Sequence, residues 1–343
     1  MYGEIIREGN LHRERYKDGF ARLVDRLNQE GSTARDAFMP VAGFARSIER
    51  HRLAYHKMLG LDRLTTGALP APQLRAVGET AEAVIHRLTV FVTPELPMQA
   101  LLFVPHGARK VPLVVAQHGG GGTPELCSDL HGKNNYNHMV ERLLRRGAAV
   151  LAPQLLLWNF REETDTQRLH DIPYNRHRTD VELKRFGLSV TAVEIRGIMN
   201  AITYAQGLSF VDGDKIGMTG ISYGGYYTLY TAAADPRIKS AYAMACFNDR
   251  NVYSWPDMCY GGSGNTFQDA EVAALCAPRA LFVSLGKEDP VFDYRFATSE
   301  AERTKKYFAA MGCPDRFVFD LWEGGHTMRD DDLGLDFMFE FLQ

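Results

Sequence analysis

The chain has 343 residues, 45% of them apolar and 24% charged, with a formal net charge of −3 at pH 7. That balance suits a folded protein with a large core and argues against a basic nucleic-acid-binding surface. Five cysteines (Cys127, Cys246, Cys259, Cys276 and Cys313) form no C-x-x-C pair and are odd in number, so they read as free thiols in a reducing compartment and not as a disulfide framework.

The first twenty residues are charged throughout and contain no apolar signal-peptide core, and no run approaches the length of a membrane span. The expectation is a cytoplasmic protein with no membrane contact. Residues 1–78 read as a helical extension. The stretches HRERYKDGFARLVDRLNQE and VAGFARSIERHRLAYHKMLGL place apolar residues at three- and four-residue steps, and Pro70, Pro72 and Gly78 then break the pattern. The extension is a candidate lid over a site or a homodimer interface.

Residues 79–343 read as one α/β domain. AVIHRLTVFV and MQALLFVP predict two antiparallel strands, and VPLVVAQH is a short apolar run of the kind buried on both faces. A glycine loop follows, then a helix (YNHMVERLLRRG) and the strand AAVLAP. Residues 154–190 read as an irregular insertion. Beyond it the pattern alternates: helix TAVEIRGIMNAITYAQGL, strand DKIGMTG, helix GGYYTLYTAAAD and strand IKSAYAMAC. A second irregular insertion at 247–277 precedes strand APRALFVSLG, helix YRFATSEAERTKKYFAAMG, strand RFVFDLW and a closing helix. Strands alternating with helices predict a mostly parallel sheet covered on both faces.

Ser222 lies in GMTGISYGG, a G-x-S-x-G match that follows a strand and opens a helix. This is the setting of a nucleophile elbow, in which glycines leave room for a strained turn and the helix N-terminus supplies N–H groups. A serine hydroxyl needs a base. Ten of the eleven histidines precede Ser222; only His326 follows it, in WEGGHTM after the last predicted strand. With the order Ser, acid, His, this leaves His326 as the base. Asp289, in SLGKEDPVF just past a strand, is the expected acid, and Asp249, past the preceding strand, is the alternative; Asp293 reads as the cap of the next helix.

The oxyanion of an acyl-transfer intermediate needs preorganised donors, each supplying about 3–4 kcal/mol. One is expected from the backbone N–H of Tyr223, the other from Gly119 or Gly120 in HGGGG; spacing alone does not choose between the glycines. His118 reads as a brace for that loop. Trp158, Trp255 and Tyr226 are candidate walls for substrate. No H-E-x-x-H or clustered Cys/His spacing points to a metal.

The motifs QHGGGG, GMTGISYGGYYTL, LGKEDPVF and EGGHTM, in this order, resemble the α/β-hydrolase superfamily, in particular its dienelactone hydrolase and acetyl xylan esterase-like branch, which is related to the prolyl oligopeptidase catalytic domain. The resemblance spans roughly residues 80–343 and implies a central sheet of about eight strands. It also implies a Ser222–Asp289–His326 triad with no metal or organic cofactor. Two departures stand out. No propeller-sized domain is present, and where such acetyl xylan esterases often carry an aromatic side chain near the oxyanion loop this chain has only glycine. The expected activity is hydrolysis of a small-molecule carboxylic ester, of a small acyl group or a sugar, through an acyl-enzyme. The same triad in relatives with helical extensions also cleaves carbon–carbon bonds, so a C–C or small-peptide hydrolase is the alternative, and a non-catalytic binding protein the third reading.

Overall fold

The computed structural model describes residues 3–64, 67–130, 132, 135–157 and 175–343. Two helices come first, α1 (Ile6–Phe38) and α2 (Phe44–Leu59). Gly43 and Gly60 flank α2 in the left-handed conformation that glycine adopts without steric penalty. The apolar face of α2 is buried through Phe44, Ile48, Tyr55 and Leu59, and the Tyr55 hydroxyl donates to the Tyr230 carbonyl at 3.0 Å.

An antiparallel run follows, β1 (Gln73–Glu79), β2 (Ala83–Thr93) and β3 (Leu96–Pro105). The remaining elements alternate: β4 (Val111–Gln117), α3 (Pro124–Cys127), α4 (Met139–Arg145), β5 (Ala149–Pro153), α5 (Arg176–Lys184), α6 (Val190–Gln206), β6 (Val211–Ile221) and α7 (Tyr223–Ala234). The chain ends with β7 (Ile238–Met244), α8 (Asp269–Ala274), β8 (Ala280–Gly286), α9 (Tyr294–Ala310), β9 (Phe317–Trp322) and α10 (Leu333–Glu340).

The strands form one sheet in the order β1-β2-β3-β5-β4-β6-β7-β8-β9. β3 joins β5 antiparallel, and every pairing from β5 to β9 is parallel. The sheet therefore has nine strands among the described residues, where about eight were expected. The additional one, β1, is an edge strand whose residues are almost all exposed. Its sequence QLRAVGE has no apolar face to signal burial, and it lies across the boundary expected at residue 78.

Helices cover both faces. α2, α6, α7, α8 and α9 pack on one side with Leu113, Val115, Leu151, Met218 and Leu281. α4 and α10 pack on the other with Val114, Val150, Phe282 and Tyr242. A strand buried on both faces needs side chains apolar in both directions, which explains why β5 and β8 are buried along their whole length. Among the described residues no helix is long and apolar enough to cross a membrane.

Candidate active site

The C-terminal ends of β4, β6, β8 and β9 lie along one edge of the parallel part of the sheet, and each carries one of the motifs. Open α/β sheets place their ligands at this edge.

Ser222 is the single residue between β6 and α7. Its backbone is at φ 59°, ψ −123°, a region that non-glycine residues occupy at a cost of roughly 1–3 kcal/mol. The surroundings enforce it. The Ser222 N–H donates to the Met244 carbonyl on β7 at 2.9 Å, and its carbonyl accepts the Tyr226 N–H at 2.9 Å. A Cβ on Gly220 would stand 2.6 Å from the Gln117 carbonyl oxygen, and one on Gly224 would collide with the same oxygen. Ser222 occupies the N-cap position of α7, yet its hydroxyl makes no capping bond. An ordinary N-cap serine would spend its oxygen there; the positive φ turns it away.

Asp289 follows β8 in a turn that uses both of its carboxylate oxygens. Oδ1 accepts the N–H groups of Val291 at 2.7 Å and Phe292 at 3.0 Å. Oδ2 lies 2.8 Å from Nδ1 of His326. The carboxylate is fully buried and the imidazole is 19% exposed. Because Asp289 is an acceptor, Nδ1 carries the proton and the Nε2 lone pair faces outward. The loop ends are pinned by Lys287 N–H to Trp322 O and Glu288 N–H to Gly324 O, each 2.9 Å. Asp249 instead accepts the Asn251 N–H in its own turn at 2.8 Å and lines a polar groove with Arg35 and Arg303. Asp293 caps α9 through the Arg295 N–H.

The glycine loop after β4 lies against the serine: a Cβ on Gly119 would come within 3.2 Å of Ser222 Cβ. The Gly119 N–H, however, donates to the Tyr136 hydroxyl at 2.8 Å, so that donor is already engaged. Gly120 is exposed, and its N–H has no acceptor among the described residues. Tyr223 is the first residue of α7, so its N–H lies at the helix N-terminus next to Ser222. His118 is buried and accepts the Leu155 N–H on Nε2 at 2.9 Å, with Nδ1 3.0 Å from the Gly119 carbonyl. Burial, partly offset by that backbone contact, lowers its pKa to about 4. It is a neutral brace for the loop.

Of the expected substrate walls, Tyr226 is 1% exposed, and its hydroxyl is bonded to that of Tyr260. It belongs to the core, because α7 is buried on every side. Trp255 is half-buried with its ring 4.8 Å from that of Tyr223. Trp158 lies outside the described residues. Two aromatics that the sequence did not single out extend the wall: Tyr253 packs between Trp255 and Phe292, at 6.1 and 4.3 Å, and Phe292 stacks on His326 at 5.9 Å and 17°. An aromatic arc thus runs from the residue after the serine to the histidine. A cleft of about 640 Å³ lies elsewhere, between α2 and the segments around Gly187 and Tyr260.

Two further groups support the site and have no local signature in the sequence. Asn135 and Tyr136 are consecutive in the loop before α4. Asn135 accepts the Met328 N–H at 3.0 Å and donates to the His326 carbonyl at 3.2 Å, while Tyr136 holds Gly119. One loop therefore fixes both the histidine segment and the glycine segment. Behind Tyr223, its hydroxyl donates to Asp257 at 3.1 Å, and Arg176 bridges Asp257 at 2.6 Å to Glu194 at 3.0 Å. Burial and the Asp257 charge raise the Tyr223 pKa, so the hydroxyl keeps its proton and remains a donor. No group of three His, Cys, Asp or Glu side chains among the described residues is arranged to hold a metal ion.

The sheet order, the strained serine after β6 and the acid–histidine pair after β8 and β9 define an α/β hydrolase. Residues 98–317 match the model of the dienelactone hydrolase family, and the chain belongs to that family. Solved structures with the same fold include methylesterase BT1017 (16% identity, TM-score 0.65), which covers 88% of this chain and of which 63% is matched. A glucuronoyl esterase from Solibacter usitatus has 15% identity and a TM-score of 0.60, over 85% of this chain and 91% of its own. Acetyl xylan esterase 1 from Thermoanaerobacterium sp. has 14% identity and a TM-score of 0.57, over 87% and 94%. At these identities the likeness is one of fold. No curated protein matches the sequence.

Proposed function

We propose that this protein is a serine hydrolase that cleaves a carboxylic ester of a small acyl group or a sugar. The observation that carries the reading is the pairing of a serine at φ 59° at the head of α7 with an Asp289–His326 hydrogen bond of 2.8 Å at the same sheet edge. Esterase chemistry among the fold neighbours supports it.

In this reading Nε2 of His326 takes the Ser222 proton as Oγ attacks the ester carbonyl. The carbonyl electron pair moves to oxygen, which the N–H groups of Tyr223 and Gly120 receive. Collapse expels the alcohol, which takes its proton from Nε2, and leaves an acyl-enzyme. Water then attacks with His326 again as base, and the acid departs. Asp289 keeps the productive tautomer and stabilises the imidazolium. The arc Trp255–Tyr253–Phe292 supplies an apolar wall beside the reacting carbonyl.

The test is a panel of esters with varied acyl and alcohol parts, run beside a β-diketone and an aminoacyl-naphthylamide. Turnover of p-nitrophenyl acetate or a sugar acetate that disappears in Ser222→Ala supports the assignment. Faster cleavage of the diketone or the amide than of any ester overturns it.

A further inference from the structure

α1 is 33 residues long, but only its last two turns are packed. Gly31 lies against the Gly264 carbonyl, and Arg35 is clamped by Glu271 at 2.8 Å and Glu300 at 2.9 Å. The preceding turns carry Tyr16, Phe20, Leu23, Val24 and Leu27, all exposed, with Phe20 at 54%. An isolated helix is marginal in water, and helices in proteins draw most of their stability from packing an apolar face. A contiguous exposed stripe of this kind marks an interaction surface.

The spacing and the charges identify what covers it. Arg13, Tyr16, Phe20, Leu23, Leu27 and Glu30 follow one another at alternating steps of three and four, the seam of a coiled coil. The seam is complementary to its own reverse: a cation at one end, an anion at the other, and apolar residues between. Residues 4–30, the exposed part of α1 with its N-terminal flank, carry six basic residues (Arg7, Arg13, Arg15, Lys17, Arg22, Arg26) and six acidic ones (Glu4, Glu8, Glu14, Asp18, Asp25, Glu30). A helix that binds a membrane surface or a nucleic acid needs an excess of basic residues on its polar face. This one is balanced.

We propose that α1 pairs antiparallel with α1 of a second copy of this chain, about a two-fold axis passing between Phe20 and Leu23. In that register Phe20 meets Leu23 of the partner subunit and Tyr16 meets Leu27 of the partner subunit. Arg13 faces Glu30 of the partner subunit, and the two-fold repeats every contact, so no apolar seam residue is left over. Parallel pairing would set Arg13 against its own copy and Glu30 against its own copy. In the single chain Glu30 pairs with Arg26 at 2.8 Å, an exposed contact of little worth that leaves it available. This inference is independent of the reaction assigned to Ser222.

Sedimentation velocity on the full chain tests it. The wild type is expected to sediment as a dimer and Leu23→Glu as a monomer with unchanged far-ultraviolet circular dichroism. Arg13→Glu should raise the dimer Kd by roughly tenfold, and Arg13→Glu with Glu30→Arg should return it to near the wild-type value. A wild type that stays monomeric up to about 100 µM would overturn the proposal. So would a Leu23→Glu dimer, or a charge-reversed pair that binds no tighter than Arg13→Glu alone.

Discussion

Asp289 divides its carboxylate between two tasks: Oδ2 sits 2.8 Å from Nδ1 of His326 while Oδ1 accepts two backbone N–H groups of its own turn. The carboxylate is thus locked in place, and in the proposed mechanism it orients the base. An amide in its place would present an N–H where an acceptor is needed, or release the turn. Asp289→Asn is expected to lower kcat for the best ester by roughly 10³–10⁴-fold with little change in KM. Asp249→Asn, whose carboxylate serves only its local turn, should leave kcat within about twofold. Steady-state kinetics on the two variants separate the candidates, and equal losses would reject the assignment to Asp289.

Tyr136 tests the glycine loop. Its hydroxyl accepts the buried Gly119 N–H, and Tyr136→Phe leaves that donor without an acceptor. Stability should fall by about 1–3 kcal/mol, read as a lower urea midpoint. Because the same loop presents Gly120, kcat should fall by roughly tenfold or more while KM moves less. Loss of stability with an unchanged kcat would confine Tyr136 to a structural role.

His118 makes stability depend on pH in a defined direction. Its folded pKa of about 4 lies below the ordinary 6.5, so the unfolded chain takes up the proton first as the solution is acidified. The resulting stability is present above pH 6.5 and is lost as pH falls toward 4, by about 3 kcal/mol in all. His118→Asn should be less stable than the wild type at pH 8, having a poorer brace, but should lose less on going from pH 7 to pH 4.5. Urea unfolding at the two pH values measures the difference; identical losses would contradict it.

The features legible in the sequence are the ones that local chemistry encodes. Alternating buried strands and amphipathic helices were readable, because burial on two faces demands apolar runs. β1 was not, since an exposed edge strand carries no apolar period and Pro70, Pro72 and Gly78 break the pattern around it. The positions of Ser222, Asp289 and His326 after β6, β8 and β9 follow from short motifs and chain order. Tyr226 illustrates the opposite case: it stands near the serine in sequence, but one helical turn carries it into the core. Tyr136, Asn135 and the Arg176–Glu194–Asp257 cluster were invisible because their partners are distant in sequence. Nothing near Tyr136 marks it as the acceptor for Gly119; only the folded loop brings them together.

The central claim is that Ser222 is a nucleophile activated by His326. The most direct measurement is reaction with a fluorophosphonate followed by peptide mass spectrometry. One adduct per chain on the peptide containing Ser222 is expected, absent in Ser222→Ala and slowed by at least about 10³-fold in His326→Ala. A folded wild-type protein that takes up no label, or takes it up at another residue, would contradict the account.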